Sequence, residues 1–306
     1  MAKHQGANGP AGRFYSCGMV AQGSHRDRTA LGAGVACGFF WPDGRPRRQN
    51  EAMGTIRTSS ARLLTAIAGL VLAVPASGQG LAQKGAAPYL PQPAVTAVVR
   101  QLPPPPAPGS AAEREDRAAY AAAASGIGSR DWQRARAQRS LNLPAYRQQL
   151  SCAFGRQLDA KLTPHLVTLL SRSAQDARRA VNAAKDKFAR PRPFTTDGGE
   201  ACDLMGRPGK PADPDFSYPS GHGTTAALWA LVLADVTPAR ASDLDAFGRD
   251  TGNLRVACRV HWPSDIAASR TLAGLLHRQL SASPAYRADL AKARAEAASA
   301  PPAFFC

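Results

Sequence analysis

Several things are missing from this sequence, and each absence excludes a class of protein. No run of about 20 apolar residues occurs, so no segment of the mature chain is expected to span a bilayer. No two cysteines or histidines stand at the close paired spacing of a zinc site, and neither a metal nor another cofactor is expected. No stretch alternates Val, Ile or Thr like a half-buried strand, and no 20–50-residue segment repeats. Acidic residues are scarce, with 22 Asp and Glu against 38 Lys and Arg, a formal net charge of +16. Residues 83–306 keep 29 basic against 19 acidic side chains, or +10. The excess is spread along helical segments (Arg134, Arg136, Arg139, Arg178 and Arg179) and no nucleic-acid reader motif accompanies it. It reads as a solvated basic face that attracts anionic substrates, with no nucleic-acid partner.

What is present begins with a signal pattern well inside the chain. Arg57 and Arg62 precede an apolar stretch from Leu63 to Val74, and small residues follow, with candidate cleavage after Ala76 or Ala82. This is expected to be a secretory signal peptide over residues 53–82. Residues 1–52 are Gly- and Arg-rich with no sustained period, and are expected to be an upstream mis-start or extension, with Met53 as the true start. Export places the mature protein in a periplasmic or extracellular compartment, where cysteines oxidise. The mature chain keeps Cys152, Cys202, Cys258 and Cys306. Four cysteines allow three connectivities, all of which stay open at this point. Cys202–Cys258 is preferred because both residues belong to segments that must converge, which leaves Cys152–Cys306 to tie down the C-terminus.

Residues 83–110 are Pro-, Ala- and Gln-rich and read as an extended lead-in ending near the Pro103–Pro106 run. From Ala111 to about residue 300 the pattern is helical, giving an all-α single domain large enough for a real core. Helices are expected over Ala111–Ser125, Asp131–Ser140 and Leu150–Leu158, then one from Thr163-Pro164 that, itself or through a successor, carries on through Val181, Ala184 and Phe188 toward Pro191, and over Ser220–Val236, Ser242–Arg255 and Ile266–Leu280. Thr163 is the expected cap of the fourth. Thr195–Phe216 is Gly-, Asp- and Pro-dense and reads as a loop.

Three blocks carry the chemistry. Lys185 is followed after six residues by Arg192-Pro193; then comes Tyr218-Pro219-Ser220-Gly221-His222; last, Arg255 is followed by His261 and Asp265. Lys185, Arg192 and Arg255 give three positive charges, suited to a phosphoryl group whose transition state spreads negative charge over its oxygens. Ser220 and Gly221 stand where a loop opens an apolar helix, so their amides are expected to face an anion. His222, as imidazolium, can protonate a leaving alkoxide. Asp265 can hold one nitrogen of His261 and leave the other free to attack phosphorus. His165 and His277 lack such company and read as structural or surface residues.

In order, spacing and flanks, these blocks resemble the tripartite signature of the type 2 phosphatidic acid phosphatase (PAP2) and vanadium haloperoxidase superfamily. Within it the chain most resembles the bacterial class A non-specific acid phosphatases, over roughly residues 101–298. The supporting segments are Leu102–Pro106, Ser217–His222 and Arg255–Asp265. The resemblance implies an all-helical bundle that hydrolyses phosphate monoesters without metal. It assigns Lys185, Arg192, Ser220, Gly221 and Arg255 to phosphate binding, His222 to acid–base transfer, His261 to the phosphohistidine and Asp265 to orienting it. It also implies periplasmic location, inhibition by phosphate and vanadate, and frequent homo-oligomerisation. Two positions depart from the pattern. Leu254 stands where the family usually has Ser, which removes one hydrogen bond but no reacting group. Phe216 stands where class A members commonly have Gly, and is expected to narrow the pocket mouth. A lipid or undecaprenyl phosphate phosphatase is disfavoured by the missing spans and a haloperoxidase by the short chain. A phosphate-binding module without turnover would keep the same residues.

Overall fold

The computed structural model describes residues 87–203 and 216–306; the expected signal peptide and the residues before it lie outside them. Helices dominate the described residues, and the one β-type contact is an isolated bridge between Arg156 and Pro302. The elements are α1 (Gln92–Gln101), α2 (Ala111–Ala122), α3 (Arg130–Ala137), α4 (Leu143–Phe154) and α5 (Pro164–Phe188). They continue as the single turn α6 (Pro193–Thr196), α7 (Gly221–Val236), α8 (Ala241–Ala257), α9 (Pro263–Ala282) and α10 (Pro284–Ser299).

The all-α expectation holds, with four local differences. The lead-in is not extended throughout, because Val95, Val98 and Val99 give α1 a helical apolar stripe that is buried in the main core. The proline run then leaves the chain without the amides a helix needs. Asp176 of α5 anchors the segment before α1 by accepting from the Tyr89 and Leu90 amides at 2.8 and 3.1 Å. Secondly, α4 starts and stops earlier than expected. Asn142 caps it through the Ala145 amide, and Gly155 ends it at φ +81°. Thirdly, Thr163 does not cap α5, since its hydroxyl is turned to the carbonyls of Gln157 and Asp159. Glu296 of α10 does that work, accepting from the amides of His165 and Leu166 at 3.1 and 2.8 Å. Finally, α10 has no counterpart among the expected helices, although Ser283 as cap and Pro284 at the first position announce it.

Helix α7 is apolar on all sides and sits at the centre, packed by α5, α8, α9 and α10. Small residues let its neighbours come close. A Cβ on Gly223 would stand 3.0 Å from Ser269 of α9, and one on Gly248 of α8 would stand 3.3 Å from the Ala227 backbone. Between α8 and α9, a Cβ on Gly252 would meet Ile266 at 2.7 Å. Cys152 and Cys306, with Cα atoms 5.5 Å apart, join α4 to the end of the chain.

Gly252→Val should therefore overpack the α8–α9 contact. A loss of about 1–3 kcal/mol is expected, read as a lower urea midpoint with an unchanged m-value.

Candidate functional site

The site forms where the start of α7, the end of α8, the start of α9 and the segment after α5 meet. Helix α8 ends at Cys258, and Arg259 then turns the chain at φ +61°, a left-handed conformation that a side chain tolerates poorly. That turn lets the chain reverse within five residues, from Arg255 in the last turn of α8 to His261. Trp262 and Pro263 open α9 directly after it.

His261 is buried, with Nδ1 3.2 Å from Asp265 Oδ2 and Nε2 3.2 Å from Arg192 Nη1. An ionised carboxylate only accepts, so Nδ1 carries the hydrogen and Nε2 presents its lone pair beside a guanidinium. Arg192 is held by the Val260 carbonyl at 2.8 Å. Asp265 also receives the Trp262 amide at 2.9 Å, which closes the first turn of α9. Burial pushes the Asp265 carboxyl up to about 6, against the opposing pull of Arg190, the Trp262 amide and Ser217.

Arg255 is 1% exposed and donates to the Ala135 carbonyl at 3.2 Å. Its Nη2 lies 3.5 Å from Asp203, while its Nε has no hydrogen-bond partner. Burial draws its proton affinity down from the usual arginine range, and Arg192 adds to that effect. His222, in the first turn of α7, directs Nε2 to the Arg139 carbonyl at 3.2 Å, so that nitrogen carries the hydrogen of the neutral ring. Burial holds this imidazole well below its ordinary range, reinforced by Arg255 and His261. Ser220 is the α7 cap, its hydroxyl oxygen 3.3 Å from the Gly223 amide. Its own amide is turned to the Asp265 carbonyl at 3.4 Å, so only its hydroxyl hydrogen is left to meet an anion. Gly221, as the first residue of α7, has no helical acceptor for its amide.

Lys185 lies half-buried in the last turn of α5, one turn beyond Val181 on the same face. Val181 in turn stands 3.8 Å from where a Cβ on Gly221 would lie. The eight residues selected for the phosphoryl site thus fall on elements that meet at this end of the bundle. His165 and His277 do not. His277 pairs with Asp235 at 2.8 Å, in a cluster with Tyr286 between α7, α9 and α10. A cavity of about 550 Å³ lies elsewhere, lined by Ser129, Asn253, Pro263 and Arg270 among others, and contains none of the selected residues.

Sequence reasoning missed three contributors. Arg190 donates to Asp265 Oδ1 at 2.6 Å, to Ser264 at 2.7 Å and to Asp116 at 2.8 Å. Asp116 itself, on α2, accepts from the Ser264 amide at 2.9 Å. Arg259 donates to the Glu200 carbonyl at 2.8 Å and lies 4.1 Å over the Tyr120 ring. Only the proximity of Arg190 to the Arg192 block could have singled it out. Leu254 is buried and packs with Ala135, Ala201, Cys258 and Val260. Phe216 is half-buried, immediately before Ser217. Cys202 lies against Cys258, with Cα atoms 4.9 Å apart and the Cys202 amide on the Cys258 carbonyl, which ties the Asp203 segment to the α8–α9 turn.

A buried His–Asp pair thus stands beside fixed cations at one end of the described helices, an arrangement suited to binding an anion. Residues 162–288 match the PAP2 superfamily. The chain is 31% identical to an acid phosphatase of Zymomonas mobilis over 64% of its own length and 73% of the relative's. It is 32% identical to a non-specific acid phosphatase of Salmonella typhi, covering 64% and 78% of the two chains. A non-specific acid phosphatase of Providencia stuartii is similar at 31% identity over the same shares. The chain belongs to the PAP2 superfamily as a phosphatase of the acid phosphatase type.

The depressed proton affinity of His222 has a measurable consequence. In the unfolded chain the imidazole takes up a proton near pH 6.5, and in the folded, phosphate-free protein it does so only at lower pH. Below pH 6.5 protons therefore bind preferentially to the unfolded chain, and stability falls as pH falls. Relative to His222→Gln, the phosphate-free wild type should lose about 1.4 kcal/mol per pH unit below 6.5, read from urea midpoints.

Proposed function

We propose that the protein is an exported, metal-independent acid phosphatase that hydrolyses phosphate monoesters through a phosphohistidine on His261. The observation that carries this reading is the Asp265–His261–Arg192 line. It turns Nδ1 to the carboxylate and leaves the lone pair of Nε2 beside a guanidinium, which supports Nε2 as the nucleophile with a cation at hand to draw in the phosphoryl group.

In the first step Nε2 of His261 attacks phosphorus in line. The bond from phosphorus to the ester oxygen breaks, and the departing oxygen takes a proton from His222 imidazolium. In the second step water attacks phosphorus, the P–N bond breaks to restore Nε2, and neutral His222 receives the proton. Lys185, Arg192 and Arg255 carry the charge of the phosphoryl oxygens, with the Ser220 hydroxyl and the Gly221 amide as further donors. His222 is neutral in the substrate-free site, so the bound dianion must raise its proton affinity before it can act as an acid. An acidic optimum follows from that requirement.

Metal independence is supported by the three cations standing where a metal would otherwise neutralise charge. Phosphate and vanadate should compete, since each presents tetrahedral or trigonal oxygens to the same donors. Export is supported by the apolar stretch from Leu63 to Val74 and by the two cysteine pairs, which suit an oxidising compartment.

Hydrolysis of para-nitrophenyl phosphate near pH 5.5 tests the reading. Activity should survive EDTA, and His261→Ala should lower kcat by at least about 1,000-fold. Acid-labile phosphate should be trapped on the wild type and absent from the variant. Activity abolished by EDTA and restored by a divalent ion, or label persisting in His261→Ala, would overturn it.

A further inference from the structure

Outside the residues already assigned, one buried polar cluster reaches the reacting histidine without belonging to the three blocks. It runs from Asp116 on α2 through Arg190 to Asp265 on α9. Arg190 is 10% exposed at its side chain, and Asp116 and Asp265 are 4% and 0% exposed at theirs. One guanidinium nitrogen of Arg190 meets Asp265 Oδ1 at 2.6 Å and Ser264 Oγ at 2.7 Å. The other meets Asp116 Oδ2 at 2.8 Å. Asp116 also accepts from the Ser264 amide and hydroxyl, so it grips both the arginine and the first turn of α9. The Arg190 guanidinium stands 5.3 Å from the centre of the Trp262 ring, which closes the remaining side.

We infer that Arg190, anchored by Asp116, is a positioning residue that orients the Asp265 carboxylate toward His261 and favours its ionised form. The inference rests on the phosphohistidine reading and assigns two residues outside the three blocks. Its logic is geometric. The two oxygens of Asp265 have different partners, Oδ1 on Arg190 and Oδ2 on His261 and the Trp262 amide. A carboxylate held at both ends cannot rotate away from the imidazole. A protonated carboxyl would lose its hold on the Nδ1 hydrogen, and with it the tautomer that exposes Nε2.

Several groups face Asp265. They are Arg190 from the segment after α5, Ser217 and Tyr218 before α7, His261 and the Trp262 amide beside α9, and, through these, Asp116 on Arg190 and Arg192 on His261. Arg190 is the cation in direct contact with it. Burial already raises the carboxyl toward the pH range where the enzyme is proposed to work, and Arg190 opposes that rise. Removing the arginine should extend the protonated form of Asp265 to higher pH.

The test compares the wild type, His261→Ala, Arg190→Gln, Arg190→Lys and Asp116→Asn, using para-nitrophenyl phosphate between pH 4.5 and 8. Arg190→Gln should lower kcat by about 10- to 100-fold near pH 5.5, the scale of loss seen when the partner that orients a metal-ligating histidine is removed. KM should stay within about threefold. The deficit should shrink toward pH 8, which a purely structural role would not produce. Arg190→Lys keeps one charge on Asp265 and should recover much of the rate. Asp116→Asn should lower kcat less, again with KM unchanged. If Arg190→Gln is insoluble, Asp116→Asn decides, because it leaves the Arg190 charge in place. A kcat within twofold of wild type in Arg190→Gln, or in Asp116→Asn where that variant decides, overturns the inference. So does a deficit in Arg190→Gln that is equal at every pH. His261→Ala separates the two levels: if it stays active the phosphohistidine reading falls, and if it is inactive while the network variants are normal, only the network role falls.

Discussion

The rest of the structure depends on how closely α8 and α9 approach α7. Side chains at 223, 248 or 252 would hold these helices apart, because the space a Cβ needs is already taken by Ser269, the Ala227 backbone and Ile266. The residues of the proposed site are distributed over the same three helices: His222 at the start of α7, Arg255 near the end of α8 and Asp265 in the first turn of α9. Well-packed interiors respond to an added methyl group by shifting or straining. The glycines that look structural therefore set the distances on which the histidines operate.

Close packing also buries charge, and burial makes each ionic group depend on its neighbours. Arg192, Arg255, His222, His261 and Asp265 are all buried. Leaving any of them without partners would cost several kcal/mol. The protein meets the cost in two ways. The acidic side is fully satisfied: Asp265 accepts from Arg190, His261 and Trp262, and Asp116 backs Arg190. The basic side is satisfied only in part, since Arg255 Nε lacks a partner and Arg255 meets Asp203 at a long 3.5 Å. Under the proposed function a bound dianion would complete that bonding, strengthened by the low-dielectric surroundings. Burial, with Arg255 and His261, disfavours protonation of His222, and under the proposed function a bound dianion would oppose that effect.

The turn between α8 and α9 carries the heaviest local constraint. Arg259 occupies a left-handed backbone conformation there, and its side chain holds the Glu200 carbonyl while covering Tyr120. Tyr120 donates to the Gly198 carbonyl, Arg117 pairs with Asp197, and Cys202 lies against Cys258. The 197–203 segment is thus fastened from α2 on one side and from the turn on the other. That is how Asp203, 52 residues from Arg255 in sequence, comes to lie beside it.

The sequence by itself determined the helical class, the order of the main helices and the three blocks, because these are local properties. Periodicity, caps and prolines act over a few residues, and the spacing from Arg255 to His261 to Asp265 is nearly forced by a helix end, a tight turn and a helix start. Tertiary structure alone decided the contacts between distant segments. Glu296 in place of Thr163 as the partner of the α5 amides, α1 drawn into the core, and the Asp116–Arg190–Asp265 line each join residues far apart in the chain. No local pattern encodes such a pairing. It arises when burial strips water from polar groups and each must find whatever partner the packed helices bring within reach.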